Sequence, residues 1–572
     1  MLLRKLSLAT FLAFTMFLAG CSRPAEESVA PQVDGAQVDA QQALRSAAVA
    51  MPDRYGAEVG EEILRSGGNA VDAAIAAGFA LAVTYPEAGN IGGGGFMLIR
   101  MNGEDSFVDY REKAPMAADR DMYLDENDDV IAGASLIGHL SVGVPGTVAG
   151  FSAAHKKYGT LPWKDLVMPA VKLAEEGFVV PEKLGGGMLS TLDKYEGKTN
   201  FGKYFGNLIG GEIHRQPELA ATLQRIADNG PEEFYKGETA DLIVAEMERG
   251  NGLITLEDLA AYEAKWREPL SSEWRGYEVV SAPPPSSGGF ALIQLLKIKD
   301  YTEHYFADVP HNSAQYIHLV AEIEKRVFAD RAEYLGDPDF VDNRIDELVS
   351  EEYIRARAQE INPDEISQDV GAGTGLEIHD TTHYSVLDKW GNAVSNTYTL
   401  NLGFGSGVVV EGAGFLLNDE MDDFSVKPGV PNAYGVIGNE ANEIQPQKRM
   451  LSSMTPTILL KDGKVAMIVG TPGGTTIFTS VFQTITNVVD FGMSPVAATD
   501  AARFHHQLLP PNLIMYGPSR PLPDEVVSEL QDRGYRLMAP WDFGDMQVIY
   551  DDGETVQAAS DPRNRGESRV ID

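Results

Sequence analysis

Four short turn signals, each set between β-rich flanks, constrain the fold of this chain more than any other feature. Asn102-Gly103 interrupts FMLIRMNGEDSFVDY, and Trp390-Gly391-Asn392 interrupts HYSVLDKWGNAVSNTYTL. Asp462-Gly463 interrupts TILLKDGKVAMIV, and Asp552-Gly553 interrupts MQVIYDDGETVQAA. Turns of this kind need residues that accept positive φ, and they leave their flanks antiparallel. Helical stretches lie between them. Over 69–84, Asn69 is placed to cap, and Val71, Ala74, Ile75, Phe79 and Ala82 recur at helical spacing. Gly78 falls on the same face and permits close packing there. A second helix is predicted over 312–334, and a third in TTIFTSVFQTITNVV after Gly474. Hairpins interleaved with amphipathic helices predict sheets covered by helices, an α+β layered architecture.

With 572 residues, 44% hydrophobic and 23% charged, the chain suffices for several domains or one large multilayer unit. Its 84 acidic and 46 basic side chains leave a formal charge of −38, which argues against nucleic acid or anionic headgroups as main partners. The single cysteine can form neither an intrachain disulfide nor a Cys-based metal site. It stands at position 21, after a segment with Arg4 and Lys5 ahead of a largely apolar run, Leu6–Leu18. That run is shorter than the roughly 20 residues of a spanning helix and ends in small residues, as an export signal does. Leu18-Ala19-Gly20-Cys21 resembles the bacterial lipobox. The resemblance implies a signal peptide over 1–20 and lipidation of Cys21. Residues 21–45, polar and poor in large apolar side chains, read as a flexible tether. The expectation is an exported protein, lipid-anchored to the cell envelope and facing the periplasm or exterior.

The segment 361–380 contains Pro363 and glycines 371, 373 and 375, reads as a loop, and runs directly into the strand that starts Thr381-Thr382-His383. With period two, Thr381, His383 and Ser385 share one face of that strand. Taken alone, a threonine there is simply a good strand former.

The wider pattern is more specific. TTHYSVLDKWGNAVSNTYTLN at 381–401 closely resembles the start of the small subunit of γ-glutamyltranspeptidases, a family of N-terminal-nucleophile hydrolases. An ordered series of further motifs supports it, including GGNAVDAA at 67–74, PEAGNIGGGGFMLIR at 86–100, YREKAP at 110–115 and PPPSSGG at 283–289. EYLGDPDF at 333–340, NDEMDDFS at 418–425, KRMLSSMTPT at 448–457 and GTPGG at 470–474 continue it. The resemblance implies a four-layer αββα sandwich made of two subunits from one precursor. The precursor would cut its own Asp380–Thr381 bond, leaving a large subunit over 46–380 behind the tether and a small catalytic subunit over 381–572. The chemistry has a physical reason, since a threonine hydroxyl needs a base beside it. A freed α-amino group supplies one with a pKa of about 7.7–8.0. Thr381 would then carry both nucleophile and base.

The resemblance also assigns the pocket. Arg111 would pair with the α-carboxylate of a γ-glutamyl donor such as glutathione, with Ser452 and Ser453 donating to the same group. Asn401, Glu420 and Asp423 would hold its α-ammonium, while the neighbouring Asp422 reads as structural. Thr399 would orient the nucleophile, and the Gly473 and Gly474 N–H groups would form the oxyanion hole. Residues 427–439 correspond to a lid loop with Tyr434 as its aromatic gate. The expected partners are glutathione and other γ-glutamyl compounds, with amino acid or dipeptide acceptors.

Other chemistries find less support. Gly92–Gly95 leads into a strand without a following Gly-Lys-Ser/Thr, so it is not a phosphate cradle. NDEMDDF lacks EF-hand spacing, no His-Glu-x-x-His occurs, and His505-His506 reads as structural, so neither metal nor organic cofactor is implied. Two alternatives stay open: a related acylase for glutaryl amides or poly-γ-glutamate, and a non-catalytic surface-binding lipoprotein of the same fold. An acylase for glutaryl groups would leave Glu420 and Asp423 without an ammonium to bind.

Overall fold

The computed structural model describes residues 45–368, 370, 381–427 and 439–572. Two antiparallel sheets lie at its centre. The seven-stranded sheet runs in the order Glu567–Ile571, Ala47–Met51, Thr381–Leu387, Ala393–Thr399, Gly94–Met101, Glu104–Asp109 and Lys265–Arg267. The six-stranded sheet runs Val556–Ser560, Gln547–Asp551, Lys464–Gly470, Thr457–Lys461, Tyr277–Ser281 and Leu270–Trp274. Each sheet takes strands from both sides of position 381, so the segments before and after it share both sheets.

All four turn signals sit in hairpins as expected, and Asn102 (φ 53°), Gly103 (φ 85°), Asp462 (φ 51°) and Gly463 (φ 72°) take the left-handed conformation that tight hairpins require. The first expected helix runs Ala70–Thr84, capped by Asn69 and closed into a capping box by Asp72. The second runs Ala314–Tyr334 with Ser313 as its cap, and the third Thr476–Val489. A Cβ at Gly78 would stand 2.4 Å from the Phe151 ring and 2.7 Å from the Tyr384 hydroxyl, so the helix meets the sheet as closely as its glycine allows.

Alternation along the strands separates the layers. Val49, Met51, Met97, Ile99 and Val108 join the core under the Ala70–Thr84 helix. Ala48, Ala50, Phe96, Leu98 and Phe107 point the other way, into a core shared with the second sheet and the helices Gly288–Tyr301, Ala314–Tyr334 and Thr476–Val489. The layers are therefore helix, sheet, sheet, helix.

The central hairpin, 381–399, departs from this rule. Its helix side puts Tyr384, Val386, Val394 and Tyr398 into the apolar core, with Thr382 and Asn396 buried among them. Its inner side carries Thr381, His383, Ser385, Ser395, Thr397 and Thr399, all buried. These polar groups are satisfied locally: His383 bonds the Thr397 and Ser385 hydroxyls at 2.8 and 3.2 Å, and Ser385 donates to the Gln547 carbonyl of the facing sheet at 3.1 Å. A polar ribbon thus runs between the two sheets and ends at Thr381.

Candidate active site

Thr381 opens the strand Thr381–Leu387, and the ladder places it directly opposite Thr399. On its other side Thr399 pairs with Gly94. The four-glycine run has its role here. A Cβ at Gly93 would lie 2.1 Å from the Thr399 carbonyl oxygen, so only glycine lets the two backbones meet. Asn90 locks the contact: its amide donates to the Thr399 carbonyl at 2.8 Å, and its oxygen accepts from Gly93 N at 2.9 Å and the Thr147 hydroxyl at 2.7 Å. The Thr399 hydroxyl accepts from Asn401 N at 2.7 Å, with Asn401 at φ 79° turning the chain out of the strand.

Thr381 and Thr399 form one end of a small recess. Its walls also include Asn401, Gly474 and Ile477 on one side and Arg111, Arg331, Glu420, Asp423 and residues 451–454 on the other. Nine of the sequence-predicted site residues therefore converge: Thr381, Thr399, Asn401, Arg111, Glu420, Asp423, Ser452, Ser453 and Gly474. Gly473 stands one residue back from the wall; at φ 131° it turns the chain into the helix Thr476–Val489, with Gly474 following at φ 59°. The two glycines bring the positive end of this helix to the recess. Cys21, Asp380 and Tyr434 lie outside the described residues, as do 428–438 of the expected lid.

The charged groups of the recess are paired with one another. Arg111 follows the strand Glu104–Asp109 and is buried with its guanidinium paired to Glu420 through one nitrogen and to Asp423 through another. The cation and the anions that the resemblance assigns to the two charges of a donor thus lie within reach of one another. Buried together, each group serves as the other's counter-charge. Burial works against the charge of Arg111, yet Glu420, Asp423 and Glu112 hold its pKa above the ordinary guanidinium value. Glu420 is pushed well above the ordinary carboxyl range by burial, with Arg111 opposing. The fully buried Glu112 carboxylate, 3.6 Å from Arg111, is pushed up to about 8 by burial, again with Arg111 opposing. At the other end, burial pushes His383 down to about 3, so it is neutral in the folded protein.

Asp422 accepts from the Ser135 hydroxyl in the interior, in keeping with the structural reading. His505 and His506 are likewise built into the core: His505 bonds Thr479 and Gln507 at 2.9 and 2.8 Å, and His506 accepts from Leu508 N at 3.0 Å. Gln507 also accepts from the Thr475 hydroxyl at 2.8 Å, which ties this network to the Gly473-Gly474 turn. Among the described residues no three His, Cys, Asp or Glu side chains are grouped to hold a metal ion.

Sequence reasoning missed Arg331 and Glu112. Arg331 lies three residues after Phe328 and four after Val327, on the buried face of its helix. A charge on an apolar helical face was the signal available. Glu112 sits inside the YREKAP motif, and only its burial distinguishes it from a surface glutamate.

The family model of gamma-glutamyltranspeptidases matches residues 56–571. The glutathione hydrolase proenzyme of Pseudomonas aeruginosa is 56% identical over 529 residues, covering 92% of this chain and 95% of that protein. That of Escherichia coli is 45% identical over 576 residues, covering 98% of each. Among solved structures, a cephalosporin acylase from Bacillus halodurans superposes with a TM-score of 0.79 at 29% identity, over 92% of this chain and 96% of that one. A gamma-glutamyltranspeptidase from Pseudomonas nitroreducens complexed with L-DON aligns with a TM-score of 0.55 at 55% identity, over 55% of this chain and 95% of its own.

Proposed function

For a chain that belongs to the gamma-glutamyltranspeptidase family, we propose the activity of a self-processing glutathione hydrolase and γ-glutamyltransferase. One observation carries the reading: a buried cation, Arg111, and two carboxylates, Glu420 and Asp423, share one recess with Thr381. A γ-glutamyl donor brings an α-carboxylate and an α-ammonium on the same carbon. It can therefore exchange partners with this cluster, its carboxylate going to Arg111 and its ammonium to Glu420 and Asp423, with no net loss of ion pairs.

The precursor would cut Asp380–Thr381, yielding subunits over 21–380 and 381–572 held together by the shared sheets as a heterodimer. The freed Thr381 amine takes the hydroxyl proton as the oxygen attacks the γ-carbonyl. The oxyanion rests on the N–H groups of Gly473 and Gly474, and removing one such donor costs about 3–4 kcal/mol of transition-state stabilisation. The amine product leaves with the proton, and water or an acceptor amino acid or peptide resolves the γ-glutamyl ester. Thr399 and Asn401 hold the nucleophile's surroundings. Export, lipidation of Cys21 and an envelope location complete the proposal, and rest on residues 1–45.

N-terminal sequencing of the smaller band on a denaturing gel should read Thr-Thr-His-Tyr. The purified protein should cleave a γ-glutamyl anilide much faster than a glutaryl anilide; the reverse preference would point to the acylase reading. A single uncut chain, unchanged by Thr381→Ala, would leave only the non-catalytic one. In a bacterial host, Cys21→Ser should move the protein from the membrane to the soluble envelope fraction.

A further inference from the structure

Gly473 and Gly474 carry the N–H groups assigned to the oxyanion, yet neither has a side chain to hold them in direction, and both sit at positive φ, 131° and 59°. The turn must therefore be held from its flanks. On the upstream side the Thr471 hydroxyl accepts from Asp545 N at 2.6 Å. On the downstream side Thr475, fully buried, donates its hydroxyl proton to the Gln507 side-chain oxygen at 2.8 Å. A threonine just ahead of a helix ordinarily turns its oxygen back on the first N–H groups as a cap. Thr475 makes no such capping bond to Thr476–Val489, and its hydroxyl is directed outward to Gln507.

Gln507 is itself held. Its side-chain oxygen also faces His505 Nε2 at 2.8 Å; an amide oxygen only accepts, so the imidazole donates. His505 Nδ1 meets the Thr479 hydroxyl at 2.9 Å. Gln483 accepts from Phe504 N at 3.1 Å and donates to the Phe504 carbonyl at 2.7 Å. Thr475, Thr479 and Gln483 recur at every fourth position, along one face of the helix, and each meets the segment 504–507. This polar stripe fixes the helix against that segment, and Gln507 makes the contact beside the turn.

We propose that Gln507 is a positioning residue for the oxyanion hole: by holding Thr475 it sets the direction of the Gly473 and Gly474 N–H groups toward the γ-carbonyl oxygen as that oxygen gains charge. His505 acts behind it, fixing the Gln507 side chain. The assignment rests on the γ-glutamyl reading of the site. Because the charge exists only in the transition state, the contact governs turnover and leaves binding of the donor unchanged.

Gln507→Met and Thr475→Val, which remove the acceptor and the hydroxyl at nearly unchanged volume, test it on a γ-glutamyl anilide, together with their double variant and Thr475→Ser. Rates are taken per processed small subunit on a denaturing gel, and thermal midpoints report folding. Gln507→Met and Thr475→Val should each lose about 10- to 50-fold in kcat, with KM within about threefold of wild type; outright loss of an oxyanion donor costs about 10²- to 10³-fold. The double variant should fall no more than about threefold below the worse single one, since both break one contact. Thr475→Ser, which keeps the hydroxyl, should stay within about threefold of the wild-type kcat. A glutamate analogue with a boronic acid at the γ position forms a tetrahedral, anionic boronate on the Thr381 oxygen and so imitates the transition state. Its Ki should rise by about the factor lost in kcat, while the Ki of L-glutamate holds. If Gln507→Met does not fold, Thr475→Val against Thr475→Ser carries the same comparison. A raised KM at unchanged kcat, losses that multiply in the double variant, equal losses in Thr475→Ser and Thr475→Val, equal shifts in both Ki values, or no change at all would overturn the proposal. Absence of γ-glutamyl anilide turnover in the wild type would instead overturn the reading beneath it.

Discussion

At one end of the recess Thr381 and Thr399 face each other across a regular ladder, clamped by Asn90 and the close approach of Gly93. At the other end Arg111, Glu420, Asp423, Ser453 and Arg331 arrive from two loops, a short helical turn and a long helix. The first end is positioned by backbone register, which moves only if a seven-stranded sheet moves with it. The second is positioned by charge and hydroxyl contacts, which a ligand can exchange one for another. Chemistry that must be aligned before substrate arrives therefore sits on the sheet, and recognition that must rearrange around substrate sits on loops.

Variants at the two ends should separate accordingly. The largest effect is expected from Thr381→Ala: one uncut chain on a denaturing gel, and γ-glutamyl anilide turnover reduced by at least about 10⁴-fold. Arg111→Gln should still self-cleave, yet lose about 10²- to 10³-fold in kcat/KM, because Glu420 and Asp423 are left buried without their cation. An uncut Arg111→Gln chain would break the separation between the ends.

The titrating groups of the two ends carry opposite signs. His383, held near 3 in the folded protein against an ordinary value of 6.5, binds its proton more readily when unfolded. Its contribution to stability is present above pH 6.5 and is lost as pH falls toward 3. Glu112, held near 8 against 4.5, keeps its proton in the folded state, so its contribution is present below pH 4.5 and is lost as pH rises toward 8. Thermal midpoints across that range should show a flatter acid limb in His383→Gln and a flatter alkaline limb in Glu112→Gln. Identical profiles for both variants would remove the contrast. The smallest effect concerns encounter: the −38 charge repels anionic glutathione, so kcat/KM should rise about two- to fivefold as salt goes from about 10 to 150 mM. A steep fall with structure intact would mean that Arg331 and the helix end at Gly474 outweigh the global field.

The hairpins, the Asn69 cap and the helices over 70–84 and 314–334 were legible because turn chemistry, capping and periodicity are local. Thr381 was legible through a long ordered motif rather than through its own residue type. The inner face of 381–399 was readable as alternation, but its partner was not. A polar face ordinarily means solvent, and only the second sheet stacked on it makes it interior. The Gly92–Gly95 run likewise supported only an exclusion until Thr399 was seen against Gly93.

What this sequence determined by itself is which segments become strands and helices, where they turn, and which threonine opens the central hairpin, because those preferences act over a few residues. The tertiary structure alone decided that Arg111 meets two carboxylates while Arg331 meets two serine hydroxyls, and that Glu112 and His383 hold their protons so differently. Those outcomes depend on distances between groups up to 312 positions apart and on exclusion of water around them. Residue spacing along a chain records neither.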